Sequence, residues 1–177
     1  MSRLTITEAL AEKRVIDKRI ESASSAIQNY VARQSSLVDP LARQGGSEKY
    51  IAEQRQSIKD LFERKIRIQN AINQSNDKTR ATVGNVTRTI AEWLIWKRDV
   101  APSMDRIYDK ITAKIEYARN FNQQRTMPNK DAIGAVDTVI SLDEKQFNEE
   151  MAAHQEIVNV LDGVLSMKNA TTYVDVA

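Results

Sequence analysis

His154 is the one histidine of the sequence and the one side chain whose ordinary titration lies near neutrality, so it is the first candidate for acid–base chemistry. It falls on the same helical stripe as Met151 and Leu161, with no motif around it, which reads as a structural histidine at a core edge. Glu149-Glu150, and Glu8 with Glu12, supply carboxylates of the kind that hold metals inside helical bundles. Those sites take Glu from facing helices together with Glu-x-x-His pairs. Here the run is Glu150-Met151-Ala152-Ala153-His154, one residue too long and present once. No metal and no cofactor is expected. Trp93 and Trp96 stand three apart beside Lys97 and Arg98, a pattern that could stack bases or sit at a membrane surface. The competing expectation is that Trp93 packs under a β-hairpin and Trp96 at a subunit contact. Arg55, Lys59, Arg64, Lys65 and Arg67 cluster with Glu53, Asp60 and Glu63 at helical spacing, as on a solvated ion-pair face. Neither a phosphate-binding glycine loop nor a nucleophile elbow is present.

Composition narrows the chemistry further. The chain of 177 residues has no cysteine, which excludes disulfides, thiolate nucleophiles and sulfur-based zinc sites. Its 26 basic and 24 acidic residues are interspersed and leave a net charge of +2, so the large positive excess of a non-specific phosphate binder is missing. Nucleic acid is therefore not an expected partner. No run of about 18 apolar residues exists, and Met1–Thr7 has no signal-peptide core, so neither membrane insertion nor export is expected.

These residues need elements to position them, and charged residues at 28% with aromatics at 6% favour long helices. Ile6, Ala9, Lys13, Ile16, Ile20, Ala23, Ile27 and Tyr30 follow a 3-4 spacing that predicts a first helix, capped by Thr7 and fading after Arg33. The loop 35–46 carries Leu37, Val38 and Leu41, expected to fold back over the hairpin tip. Ser47 is expected to cap a second helix whose apolar face is Ile51, Ile58, Leu61, Ile68 and Ile72, widened by Phe62 and Ile66. Residues 79–88 alternate around Gly84-Asn85 and predict a small β-hairpin, with Arg3–Thr7 and Thr171–Val176 as further short strands. A third helix starts near Thr89, with a kink at Val100–Ala101 before Pro102 and a restart capped by Ser103. A loop follows from Gln123 to Ala135. Val136–Leu142 reads either as a strand or as a lead-in to a fourth helix that Asp143 caps and that runs to about Met167. The expected fold is mainly α: an elongated antiparallel four-helix bundle, roughly 40 Å long at about 1.5 Å per residue.

The sequence also repeats itself. Glu8-Ala9-Leu10-Ala11-Glu12-Lys13-Arg14 recurs as Glu92-Trp93-Leu94-Ile95-Trp96-Lys97-Arg98. Ile72-x-x-x-Asn76-x-x-Thr79 recurs as Leu165-x-x-x-Asn169-x-x-Thr172. Residues 1–177 read as a single domain of two duplicated helical hairpins, repeat 1 over 5–83 and repeat 2 over 86–176. Each Asn/Thr mark stands where helix gives way to a β-like segment. The last strand must then find an N-terminal partner, its own or a neighbour's.

Ile72-Asn73-x-x-Asn76-x-x-Thr79, the short β-like stretch, and Thr87-x-Thr89-x-Ala91-x-x-Leu94, together with Thr5–Arg14 and Asn169-Ala170-Thr171-Thr172, resemble a family of small bacterial and phage helical proteins. Some of its members carry the name septicolysin-like. The chain departs from the family in the loop at 35–46 and in Trp93 and Trp96. The resemblance implies a coiled, mostly helical fold, and the septicolysin name implies a pore-former, with no lytic motif to carry over.

The function expected from all this is a non-enzymatic, self-assembling structural or interaction protein. A phage virion component associated with a capsid or connector is the setting that the family's phage members imply. The alternatives are a soluble septicolysin-like pore-former and, third, a nucleic-acid packaging factor. The expected partners are further copies of the chain and other virion proteins, in a virion or the bacterial cytoplasm. The residues expected at protein interfaces are Leu4, Ile6, Trp93, Trp96, Tyr173, Val174 and Val176.

Overall fold

A computed structural model describes residues 2–125 and 138–176 of the chain. The elements run β1 (Ser2–Thr5), α1 (Ile6–Gln28), α2 (Gly46–Lys78), β2 (Arg80–Val83), β3 (Val86–Thr89), α3 (Ile90–Ile95), α4 (Ala101–Arg125), α5 (Glu144–Thr171) and β4 (Tyr173–Val176). The protein is mainly helical, with two small antiparallel strand pairs among the described residues, β1 with β4 and β2 with β3. The chain divides into two compact units, Met1–Thr79 with Leu165–Ala177, and Arg80–Val164.

The first unit is built on the α1–α2 hairpin. Ile6, Ala9 and Ile16 of α1 and Ile68 and Ile72 of α2 form a buried cluster that Val174 and Val176 of β4 complete. Burying a Val or Ile side chain contributes about 1.5–3 kcal/mol, far more than a four-residue strand pair supplies by itself. The strand pair therefore exists because its apolar face is covered. Lys13, which interrupts the apolar seam of α1, reaches Gln69 on α2. Glu12 with Arg64 and Asp17 with Lys65 flank the same seam.

Several local expectations are corrected. Thr5 caps α1 in place of Thr7: its hydroxyl accepts from the Glu8 N–H at 3.2 Å while the Glu8 carboxylate accepts from the Thr5 N–H at 2.7 Å. A capping box needs the acid three residues on, a spacing Thr5 has and Thr7 lacks. The helix stops at Gln28 rather than Arg33, and beyond it Val31 is exposed. Leu37 and Val38 are also exposed, at 56% and 84%, so only Leu41 of the three tip residues turns partly inward. Ser47 is buried inside the first turn of α2 rather than capping it. The Asp39 carboxylate accepts from its N–H and its hydroxyl, and from the Leu41 N–H. Gly45 and Gly46 make this entry possible with φ of 99° and 90°, a region that side chains disfavour. On α2, Phe62 and Ile66 lie exposed rather than on the inner face.

The second unit begins with the expected hairpin. β2 and β3 are joined by the two-residue turn Gly84-Asn85, with Gly84 at φ 56°. Thr89 then caps α3 with the same box, through Glu92. Pro102 does not interrupt the helix. A π-helical turn, Trp96–Val100, joins α3 to α4, with the Ala101 N–H reaching back to the Trp96 carbonyl. Pro102 has no N–H to give and its ring crowds the carbonyl four residues back, and the wider turn relieves both. Ser103 caps nothing, since its hydroxyl donates to the Asp99 carbonyl. The loop expected from Gln123 begins no earlier than the end of α4 at Arg125, and its remainder up to Ala135 lies outside the described residues, as do 136–137. Residues 138–142 form no strand and lead into α5, which Asp143 caps by accepting from the Lys145 and Gln146 N–H groups. Helix α5 runs past Met167 to Thr171.

Candidate functional site

Aromatic rings form a continuous ladder in the second unit. Trp93 is fully buried, and its indole N–H donates to the Ala81 carbonyl of β2 at 2.9 Å. The Arg88 guanidinium of β3 lies 5.0 Å from its ring centroid. Trp93 meets Trp96 edge-on at 5.6 Å, Trp96 meets His154 at 5.4 Å, His154 meets Tyr108 at 5.3 Å, and Tyr108 meets Phe147 edge-on at 5.7 Å. The helical period brings Trp93 and Trp96 from α3 and the π turn, and Tyr108 from α4, towards Phe147 and His154 on α5.

His154 is buried, and its Nε2 lies 2.9 Å from Asp105 Oδ1 on α4. Burial pushes the Tyr108 hydroxyl up from its ordinary pKa, and the charges of Glu150 and Asp105 push it the same way. One polar partner and two flanking rings hold the imidazole in place. A pocket of about 190 Å³ lies beside it, with Trp96, Pro102, Asp105 and Leu161 as walls and the Lys97–Asp162 ion pair at hand. That volume is below the range of ordinary small-molecule sites. Among the described residues no group of three or more His, Asp or Glu is placed to hold a metal ion. Glu149 forms an exposed i,i+4 pair with Lys145, and Glu150 accepts from Gln146.

The residues expected at interfaces fall into two groups. Ile6, Val174 and Val176 are buried in the first unit, and Trp93 and Trp96 in the second. Trp93 lies under the β-hairpin as expected, whereas Trp96 is covered by its own unit. Leu4 is half-buried against the strand cluster. Tyr173 is 55% exposed, with the Arg3 guanidinium 4.7 Å from its ring centroid.

Around Tyr173 the backbone is the informative part. The Ile6 N–H donates to the Thr172 carbonyl, which makes that pair a bonded one. Antiparallel ladders alternate, so Leu4↔Val174 and Ser2↔Val176 are bonded pairs as well, while Thr5↔Tyr173 and Arg3↔Asp175 are not. The Thr5 N–H, spent on the Glu8 carboxylate, agrees with this. The main-chain groups of Tyr173 and Asp175 therefore face away from β1. Beside them runs a groove of about 300 Å³ lined by Ala71, Gln74, Ser75 and Lys78 of α2. No sequence motif marks this edge, because it follows from the register and not from residue type. Asn76 of the repeated Asn/Thr mark is also buried, and its Oδ1 has no hydrogen-bond partner among the described residues.

No family model matches the chain, and no curated protein does. Among solved structures it is similar to a functionally unknown conserved protein from Corynebacterium diphtheriae. The two share 16% sequence identity over 98% of this chain and 100% of that one, with a TM-score of 0.55. The class that fold and geometry define is thus a mainly helical chain with paired terminal and central strands. The likeness to the Corynebacterium protein shows that fold and nothing about activity. Among the described residues no helix is long and apolar enough to cross a membrane.

Proposed function

We propose that this protein is a non-enzymatic, self-assembling interaction protein that docks through the outer edge of β4. The observation that carries the reading is the outward-facing main chain of Tyr173 and Asp175 beside an open groove. An edge of this kind recruits a further strand through main-chain hydrogen bonds, while the groove sorts the side chains of the incoming segment. The chemistry of His154 supports a structural role, since its ring is packed between Trp96 and Tyr108. A four-helix arrangement of two duplicated hairpins, and a phage virion as the setting, belong to this proposal and rest on the sequence pattern and the family resemblance.

Light scattering across a concentration series tests it. Association should rise with concentration and disappear in Asp175→Pro, which removes an outward N–H and leaves the bonded pairs to β1 intact. A monomer at every concentration, or association unchanged in Asp175→Pro, overturns the reading.

A further inference from the structure

The two strand pairs are a single interaction made twice. β1 enters α1 through the Thr5–Glu8 box, and β3 enters α3 through the Thr89–Glu92 box. β2 leaves α2 after Thr79, whose N–H donates to the Ser75 carbonyl, and β4 leaves α5 after Thr172, whose N–H donates to the Lys168 carbonyl. Position by position, Thr5↔Tyr173 matches Thr89↔Arg80, Leu4↔Val174 matches Arg88↔Ala81, and Ser2↔Val176 matches Val86↔Val83. The register is the same in both pairs, and so is the burial: Ala81 and Val83 face inward as Val174 and Val176 do. The Thr82 and Thr87 hydroxyls, 2.8 Å apart, mark a non-bonded pair at the place that Asp175 and Arg3 hold in the other sheet.

The partners are exchanged between repeats. The strand that leads into repeat 1, β1, takes the last strand of repeat 2, β4. The first strand of repeat 2, β3, takes the last strand of repeat 1, β2. Reciprocity of this kind, in which one copy's residue meets the other's and the reverse, is the signature of a self-complementary dimer contact. The side-chain ties repeat with it: Lys13 reaches Gln69 in the first repeat, and Lys97 reaches Asp162 from the same positions in the second.

We infer that the partner surface of a single βααβ repeat is built for a second βααβ repeat, and that this chain is a covalently joined dimer of such modules. The Gly84-Asn85 turn is the covalent tie at one of two equivalent joints, and β1–β4 is the same joint without a turn. The inference holds whether or not whole chains assemble further.

Cysteine cross-links in the full chain test the exchange, because the sequence contains no other cysteine. Non-bonded antiparallel pairs bring Cα atoms to about 4.5 Å, within disulfide reach. Arg3→Cys with Asp175→Cys should oxidise within one chain. Arg3→Cys with Thr82→Cys, the pair that unexchanged repeats would form, should not. The reverse result overturns the inference. Equivalence of the joints is tested by linking Val176 to Ser2 through Gly-Asn. The cyclic chain should melt higher than the linear one, and a lower melting temperature overturns the equivalence. Opening that cyclic chain between Gly84 and Asn85 should leave a folded monomer in which Thr82→Cys and Thr87→Cys still cross-link. A folded product without that cross-link, or one that does not fold, counts against it.

Discussion

The interiors of the two units diverge although their frames match. Ile68 and Leu161 are buried at corresponding places, and each entry helix starts on the same capping box. Between these fixed points the first unit is aliphatic and the second is aromatic. Ala9 of α1 corresponds to Trp93, Glu12 to Trp96, and Leu61 of α2 to His154. The π turn takes up one extra residue, so that beyond it Ile16 corresponds to Ala101, Ile20 to Asp105 and Ala23 to Tyr108. The consequence is visible in the spacing of the helices. Aliphatic residues, smaller than the rings of the second unit, let the backbones of α1 and α2 approach within 8 Å of each other along the hairpin, which α4 and α5 scarcely do among the described residues. Where Tyr108 and Phe147 fill the second unit, the first keeps a surface groove of about 330 Å³ lined by Ser22, Ala23, Gln54, Ser57 and Leu61. The frame thus tolerates two fillings, provided that helix separation adjusts to side-chain size.

The largest expected effect comes from breaking the aromatic filling. Trp93→Ala removes a fully buried ring and strands the Ala81 carbonyl acceptor, and should cost about 3–5 kcal/mol in urea unfolding. Its counterpart Ala9 has no exposure, so Ala9→Trp has no space between close-packed helices and should also destabilise the first unit. A stable Ala9→Trp variant would show that the two interiors are interchangeable and that helix spacing is not the deciding quantity.

A second comparison sets Leu61 against His154. Leu61→His places an imidazole at a half-buried position, with Ile20 at the place that Asp105 holds in the other unit, and should cost about 1–3 kcal/mol in lost apolar burial. Adding Ile20→Asp should recover part of that loss by recreating the Asp105 contact. In the other direction, His154→Leu with Asp105→Ile should leave stability unchanged or raise it, because polar pairs replaced by apolar residues of similar volume commonly do so. A double variant that unfolds or loses association would give His154 a role beyond packing.

Legibility in the sequence followed the same division. Helix and hairpin positions were readable because periodicity, Gly-Asn and the repeated marks are local signals. The burial of Trp96 was not, because a tryptophan beside Lys97 and Arg98 looks like a surface patch or a subunit contact, and the His154 ring that meets it comes from a distant part of the sequence. The cap at Thr5 was misread as Thr7, although Glu8 three residues on marks it and Thr89–Glu92 repeats the same signal. The pairing of the last strand with the N-terminus was read from the repeated marks, with its own chain and a neighbour's both left open. The register that turns the main chain of Tyr173 and Asp175 outward was out of reach, since it depends on pairing between residues more than a hundred positions apart.

The caps provide a control in which the two units should respond alike. Thr5→Ala and Thr89→Ala each remove one N-cap acceptor and should cost about 1 kcal/mol. The caps also predict acid behaviour. The Thr5 N–H, then its hydroxyl, hold Glu8 below the ordinary carboxylate pKa, and the Thr89 groups do the same for Glu92. A lowered folded-state pKa means stability present at neutral pH and lost as pH falls below about 4.5 through the lowered value. Glu8→Gln and Glu92→Gln should each flatten that acid limb in a pH series of thermal melts, and an unchanged limb would remove the caps as its source.

The smallest effect separates the otherwise equivalent lysine ties. Lys97 meets the carboxylate of Asp162, with both side chains at least half exposed, whereas Lys13 meets the neutral amide of Gln69. An exposed ion pair contributes about 0–1 kcal/mol and is screened by salt, while a bond from lysine to an amide depends on salt far less. Asp162→Gln should therefore change stability by less than about 1 kcal/mol at low salt and abolish the difference between low and high salt at that site. Gln69→Glu should do the opposite in the first unit, introducing a salt-dependent increment through Lys13. If both substitutions leave the salt dependence of melting unchanged, then the lysines serve through their apolar stems alone, and the match between the two positions records packing rather than charge.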